Sequence, residues 1–524
     1  MSEGKVYFMD TTLRDGEQTS GVSFSTAEKL NLSRVLLEEV KVDRIEIASA
    51  RVSAGEREAA EEVLKWAATA GYLGKVEILG FIDGGISIDW IEKVGGKVVN
   101  LLAKGSLKHV KSQLRKTPKQ HLEDIVSAIN YAHQKGIIVN LYLEDWSNGM
   151  KDSKDYVFFL LEGLRNQPIQ RLMLPDTLGI LTPYESFEFC KVVKETFPSY
   201  QFDFHAHNDY DLAVANVMEA VRAGVDCVHT TVNGLGERAG NSVLSSVNAA
   251  IKDHLFKETQ IEESKLYKIS KLVESFSGKR IPDNKPLIGD NVFTQTCGVH
   301  ADGDTKDQLY FNELMPERFG RTRKYALGKT SGKANIRKNL EELGIELEEE
   351  ALKKVTQRVI ELGDKKEMVT IEDLPYIAAD VLDQQAIQDR VKIINYNLSH
   401  AKGLKPVASV SIRLDHETIE SNASGDGQYD AFMNALKIIY KGKNMTLPSL
   451  VDYTVSIPPG GKSDALCETT ITWDNGREFK TRGIDTDQTF AAIQATEKML
   501  NLIHVEPIIK QVKSNRKEKS NRLI

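Results

Sequence analysis

Two histidines two positions apart, in Phe204-His205-Ala206-His207-Asn208-Asp209, are the first sign of chemistry in this 524-residue chain. On a strand, side chains at i and i+2 share a face, so His205 and His207 can hold one metal ion together. Such a pair on its own is more commonly two histidines satisfied by hydrogen bonds. The acid in Asp10-Thr11-Thr12-Leu13-Arg14-Asp15-Gly16-Glu17-Gln18 shifts that balance. One carboxylate from there completes a two-histidine, one-carboxylate site with open positions for a chelating substrate.

Such a site needs a scaffold that brings position 15 to position 205. The first half of the chain alternates β-rich runs with amphipathic helical patterns. Strands are predicted at Val6-Asp10, Arg44-Ala48, Val76-Phe81, Val98-Leu102, Ile137-Leu143, Arg171-Leu174, Gln201-His205 and Asp226-Thr231. Ser25-Thr26-Ala27-Glu28 has the pattern of a capping box and starts the first helix. Eight βα units in about 250 residues match a (β/α)8 TIM barrel. A doubly wound open sheet competes, but no GxGxxG turn follows the first strand. In a barrel the active residues gather at the C-terminal strand ends. Arg14, Asp15, Gln18, Glu46, Ser49, Arg51, Glu144, Asp145, Asp176, Thr177, His205, His207, Thr231, Asn233 and the loop to Asn241 all stand at or just beyond such ends.

Past residue 255 the alternation stops. A mainly helical linker follows, with a glycine-bearing run around His300 that reads equally well as an ordinary loop. From Val391 three strands and a helix occur twice, the α+β pattern (βββα)2 of a paired-module domain. Such a domain can bind an effector at the joint of its halves or serve only for dimerisation. The expected divisions are a catalytic barrel at 1–258, a linker at 259–390, a regulatory domain at 391–510 and a basic tail at 511–524.

With 41% hydrophobic and 27% charged residues the composition is that of a globular chain. A net charge of −7 is mild, so neither nucleic acid nor an anionic membrane is expected as partner. Cys190, Cys227, Cys297 and Cys467 lack the spacing of a zinc or redox motif and read as reduced thiols. Met1-Ser2-Glu3-Gly4 does not open a signal peptide, and no apolar run approaches membrane-spanning length, so a cytoplasmic location is expected.

Four motifs carry a resemblance: Leu13-Arg14-Asp15-Gly16-Glu17-Gln18, His205-Ala206-His207-Asn208-Asp209, Asn233-Gly234-Leu235-Gly236-Glu237-Arg238-Ala239-Gly240-Asn241 and Gly298-Val299-His300-Ala301-Asp302-Gly303. The chain resembles the DRE-TIM metallolyase family, in its Claisen-condensing group of 2-isopropylmalate, homocitrate and citramalate synthases. Glu46 to Val52, Glu144 to Gly149 and Ile457 to Asp464 are similar to the citramalate branch. The resemblance implies an acyltransferase that condenses acetyl-CoA with an α-keto acid and hydrolyses the thioester. Pyruvate is the expected keto acid and 2-oxoisovalerate the alternative. It implies a divalent ion, Mn²⁺, Mg²⁺ or Zn²⁺, on Asp15, His205, His207 and Asn241. Arg14 would stabilise the growing alkoxide, Thr177 bind the substrate carboxylate, and Glu144 act as base with His300 assisting. Leu79, Leu102 and Tyr142 would surround the keto acid's side chain, although a leucine at a strand end can equally face the barrel core.

For the C-terminal domain the resemblance implies a homodimer inhibited by a branched-chain amino acid. Isoleucine or leucine would bind at Tyr429, Asp430, Leu450, Tyr453, Ile457 and Cys467. Two other classes compete: an inactive barrel serving as amino-acid sensor, which would have no chemical need for Arg14, Asp15 and the histidines, and a lyase or aldolase, which would lack the effector domain.

Overall fold

The computed structural model describes residues 4–304, 306–343, 345–364, 369–381, 390–456, 467–476 and 478–520. They belong to two compact units, Met1–Phe293 with Phe311–Arg323, and Thr294–Tyr310 with Lys324–Ile524.

In the first unit β1 (Tyr7–Asp10), β2 (Arg44–Ser49), β3 (Val76–Phe81), β4 (Val98–Lys104), β5 (Ile138–Glu144), β6 (Ile169–Asp176), β7 (Phe202–Ala206) and β8 (Cys227–Thr230) form a closed parallel barrel in sequence order. β1 completes the circle on β8, with Tyr7 opposite Cys227 and Asp10 opposite Thr230. Parallel strands covered on both faces need successive apolar residues, and β4, β7 and β8 are buried along almost their whole length. The covering helices start at local signals. Ser25 and Glu28 form the expected capping box, and Thr117 with Gln120 and Thr182 with Glu185 repeat it ahead of a first-turn proline.

The barrel lumen is not purely apolar. Glu46, Glu77, Asn100, Asn140, Arg171, Asp203 and His229 are each at most 5% exposed. Asn100 on β4 donates to Glu46 on β2 at 2.7 Å, and Tyr142 on β5 meets His229 on β8 at 3.1 Å. Bonds between strands that are not neighbours have to cross the lumen.

In the second unit β9 (Thr294–Gln295) pairs in parallel with β10 (Lys324–Tyr325). Helices Lys333–Leu343, Glu349–Asp364 and Leu374–Val381 pack around Ile336, Leu340, Val355, Val359 and Leu374. Two antiparallel sheets follow, β11 (Val391–Ser399), β12 (Val407–Leu414) and β13 (Glu417–Ser424), then β14 (Ser449–Ser456), β15 (Cys467–Asp474) and β16 (Glu478–Asp485). Each is followed by one helix, Gln428–Gly442 and Gln488–Ser520, so the βββα pattern occurs twice. Their shared core includes Ile412, Phe432, Leu436, Ile471, Trp473 and Met499. The last helix runs into the basic stretch expected as a tail at 511–524 and continues to Ser520, because Lys, Glu, Gln and Arg are good helix formers and charge alone does not end a helix. Residues 521–524 lie outside the described residues. No described helix is long and apolar enough to cross a membrane.

Candidate active site

His205 lies on β7 and His207 just past it, where an antiparallel bridge to Asn241 continues the extended backbone. The two Nε2 atoms stand 3.4 Å apart. Asp15, from the loop after β1, places Oδ2 3.2 Å from Nε2 of His205 and 4.0 Å from that of His207. The loop from Asn233 folds back on itself to deliver Asn241. Gly236 and Gly240 have φ of +156° and +86°; a Cβ on Gly240 would collide with the Gly234 carbonyl oxygen, and one on Gly236 with the Asn241 amide.

The donor set fits a divalent cation. Nδ2 of Asn241 donates to the Leu235 carbonyl at 3.0 Å, which leaves its Oδ1 to accept. That oxygen and Oδ1 of Asp15 are buried without a protein partner. Buried orphan acceptors are costly unless something satisfies them, and two oxygens with two imidazoles suit Mn²⁺, Mg²⁺ or Zn²⁺. Burial disfavours the Asp15 anion, but Arg14, His205 and His207 outweigh it and hold the carboxyl well below the usual range. Burial also keeps the imidazoles neutral, pushing His207 down to about 4 with His205 adding to the effect. Ionised carboxylate and neutral imidazole are the forms that ligate.

A second trio, Asp203, Cys227 and His229, brings potential ligand atoms equally close. Arg44 and Arg171 already approach Asp203 at 3.3 and 3.2 Å, and Nη2 of Arg44 stands 2.7 Å from the Cys227 sulfur. Two fixed guanidinium charges would repel a further cation, so we read this trio as part of an ion-pair network.

Arg14 is held on three sides. Nε donates to Glu46 at 2.5 Å, Nη1 to Asp15 at 3.1 Å and Nη2 to the Tyr142 hydroxyl at 3.4 Å. Glu144, at the end of β5, is paired with Lys104, its register neighbour at the end of β4. Asp145 follows in a left-handed conformation with φ +64°, and its N–H donates to Oγ1 of Thr177 at 2.8 Å. Leu79 and Tyr142 pack with Met9, Met173 and Cys227 in one buried cluster, and Leu102 packs against it.

Other mouth residues have local work. Asp176 accepts the N–H groups of Ile180 and Leu181, both at 3.0 Å, and Asn233 is bonded to Ser270. Arg51 pairs with Asp83, and Gln18 is exposed. His300 belongs to the second unit, where its ring lies 4.2 Å from that of Tyr310. In the C-terminal repeat Tyr429 and Tyr453 come together at 5.4 Å between ring centres. Asp430 accepts the Asp426 N–H at 2.9 Å, Cys467 is buried and Leu450 is exposed. Ile457, with the rest of 457–466, lies outside the described residues.

Sequence reasoning missed Lys104 and the lumen network of Glu77, Asn100, Asn140, Arg171, Asp203 and His229. The available signal was a single polar residue in the middle of apolar strands, as at Asn100 in Val98-Val99-Asn100-Leu101-Leu102. An isolated polar residue in a strand buried on both faces has to find a partner inside.

Comparison with known proteins defines the class. A family model described as HMGL-like matches residues 5–273. One described as homocitrate synthase post-HMGL domain-like matches 287–367, and one described as LeuA allosteric (dimerisation) domain matches 368–504. The chain belongs to the HMGL-like family. Among its relatives, an (R)-citramalate synthase of Methanocaldococcus jannaschii is 34% identical over 95% of this chain and 99% of its own length. A 2-isopropylmalate synthase of the same organism is 33% identical over 95% of each.

Proposed function

We propose that this chain is an (R)-citramalate synthase, condensing acetyl-CoA with pyruvate and hydrolysing the resulting thioester. Identity alone does not separate it from 2-isopropylmalate synthase, since relatives of both names are about equally similar. The observation that carries the choice is the buried cluster of Leu79, Tyr142, Met9 and Met173, with Leu102 against it, beside Arg14. Bulky side chains there suit the methyl group of pyruvate and crowd a branched side chain.

A divalent ion held by Asp15, His205, His207 and Asn241 supplies Lewis-acid polarisation of the keto group when bound. Thr177 donates its hydroxyl proton to the keto acid's carboxylate. Arg14, locked by Glu46, Asp15 and Tyr142, stabilises the negative charge that grows on the former keto oxygen. Glu144, oriented by Lys104, removes the methyl proton of acetyl-CoA. His300 from the linker of a neighbouring subunit assists, as the family resemblance implies. In this reading residues 391–510 bind isoleucine as feedback inhibitor and join two subunits, which the match to the LeuA allosteric (dimerisation) domain supports. Manganese as the working ion and a cytoplasmic location complete it.

The test is CoA release by purified protein with acetyl-CoA and Mn²⁺, offering pyruvate and 2-oxoisovalerate separately. Preference for pyruvate is expected; preference for 2-oxoisovalerate would make the protein a 2-isopropylmalate synthase with the same fold and site.

A further inference from the structure

We propose that His229, its tautomer fixed by Asp203, is a positioning residue that acts through the Tyr142 hydroxyl to fix Arg14. The proposal rests on the function above only for the rate it predicts. Asp203 is fully buried and faces Arg44, Arg171 and Nε2 of His229 at 3.3, 3.2 and 3.2 Å. A carboxylate between two guanidinium groups is an anion and can only accept, so Nε2 of His229 carries the imidazole proton. In the neutral ring Nδ1 then accepts. It lies 3.1 Å from the Tyr142 oxygen, which therefore donates its proton to His229. The phenol oxygen is left with its lone pairs for Nη2 of Arg14 at 3.4 Å. Each proton along Asp203, His229, Tyr142 and Arg14 has one available direction.

The same network reaches Arg14 from its other side. Arg171 pairs with Glu77, which accepts from Asn140 at 3.2 Å; Asn140 donates to Asn100 at 2.8 Å, and Asn100 to Glu46 at 2.7 Å. Glu46 then takes Nε of Arg14 at 2.5 Å. Loss of the Tyr142 contact would leave Arg14 anchored to Glu46 and Asp15 but without its third point. A guanidinium that can tilt still folds into place, yet it is displaced from the charge it must meet, and misplacement of this kind costs up to about 100-fold in rate.

The experiment compares His229→Gln, which keeps a donor for Asp203 but no acceptor for Tyr142, with His229→Asn, which keeps an acceptor near Nδ1. Tyr142→Phe and the Tyr142→Phe/His229→Gln double variant complete a cycle. His229→Gln and Tyr142→Phe should each lower kcat by about 10- to 100-fold, with KM for pyruvate changed less than about twofold. The double variant should be no slower than the slower single, and His229→Asn should recover most of the rate. Wild-type kcat in His229→Gln, or losses that multiply in the double variant, would overturn the relay. Crystal structures of wild type and His229→Gln give a readout independent of turnover: Nη2 of Arg14 should leave Tyr142 in the variant, and an unmoved guanidinium would overturn the proposal. Wild-type protein inactive on every keto acid would instead remove the functional reading, with the crystallographic comparison still deciding the relay.

Discussion

The main-chain N–H of Asp145 donates to Oγ1 of Thr177 across 2.8 Å, and this bond determines what the threonine hydroxyl can do. An oxygen that accepts from a fixed backbone donor has its own proton turned elsewhere. Asp145 holds this position in a left-handed conformation, φ +64°, which costs a non-glycine residue energy and clusters at functional sites. The turn after β5 thereby orients the residue after β6.

Replacing Thr177 tests that orientation. Thr177→Val keeps the shape and removes both halves of the arrangement; KM for the keto acid should rise by about 10- to 100-fold, the loss expected for a hydrogen bond to a charged group. Thr177→Ser should stay within a few-fold of wild type. Steady-state kinetics with varied pyruvate distinguish the two, and equal loss in both variants would remove Thr177 from substrate binding.

Asp15→Asn and His207→Ala should each reduce turnover by more than about 100-fold and abolish retention of Mn²⁺ through dialysis. Circular dichroism should be unchanged, since Arg14 keeps Glu46 as a partner. A variant that retains both metal and activity would dismantle the proposed metal site.

Leu102 packs against the buried cluster of Met9, Leu79, Tyr142 and Met173, so Leu102→Ala should open space beside Arg14. The ratio of kcat/KM for 2-oxoisovalerate to that for pyruvate is expected to rise at least about tenfold, in keeping with about 1–3 kcal/mol per methylene. An unchanged ratio would show that this leucine only fills the barrel core.

Asp10 offers a pH test of stability. It is 1% exposed; its Oδ1 accepts the Thr12 N–H at 3.0 Å, and its Oδ2 has no protein partner. Burial, opposed by the bonds from Thr12, pushes its carboxyl up to about 7. The folded state therefore holds this proton more tightly than the unfolded chain, whose value is about 4. The stabilisation is complete below about pH 4 and is lost as pH rises through about 7, amounting to about 4 kcal/mol at most. Relative to Asp10→Asn, the wild-type melting temperature should fall between pH 5 and pH 8. Parallel curves would place a charged Asp10 in the folded protein.

Much of the fold was legible because its signals are local. Val76–Phe81 is a β-rich run whose ends coincide with β3, and Ser25 with Glu28 announced a cap that the helix uses. Asp15, His205, His207 and Asn241 were recognisable as motif residues, and the backbone brings the first three within ligand distance while bridging the fourth to His207. The basic stretch from 511 was marked off by its charge, whereas the last helix runs on through it to Ser520, since the residues carrying that charge favour helix.

By itself the sequence determined the barrel strands, the doubled βββα pattern and the residue types able to hold a metal, since periodicity, caps and motifs depend on residues close together in the chain. Only the tertiary structure decided that Lys104 meets Glu144, that Asp145 orients Thr177 and that Asp203 and His229 stand behind Tyr142. Those pairings join residues of different strands or of the turns that follow them, Tyr142 and His229 across the lumen and the others between neighbours; burial makes each polar group find a partner, and which partner it finds is set by strand register and lumen geometry rather than by any short stretch of chain.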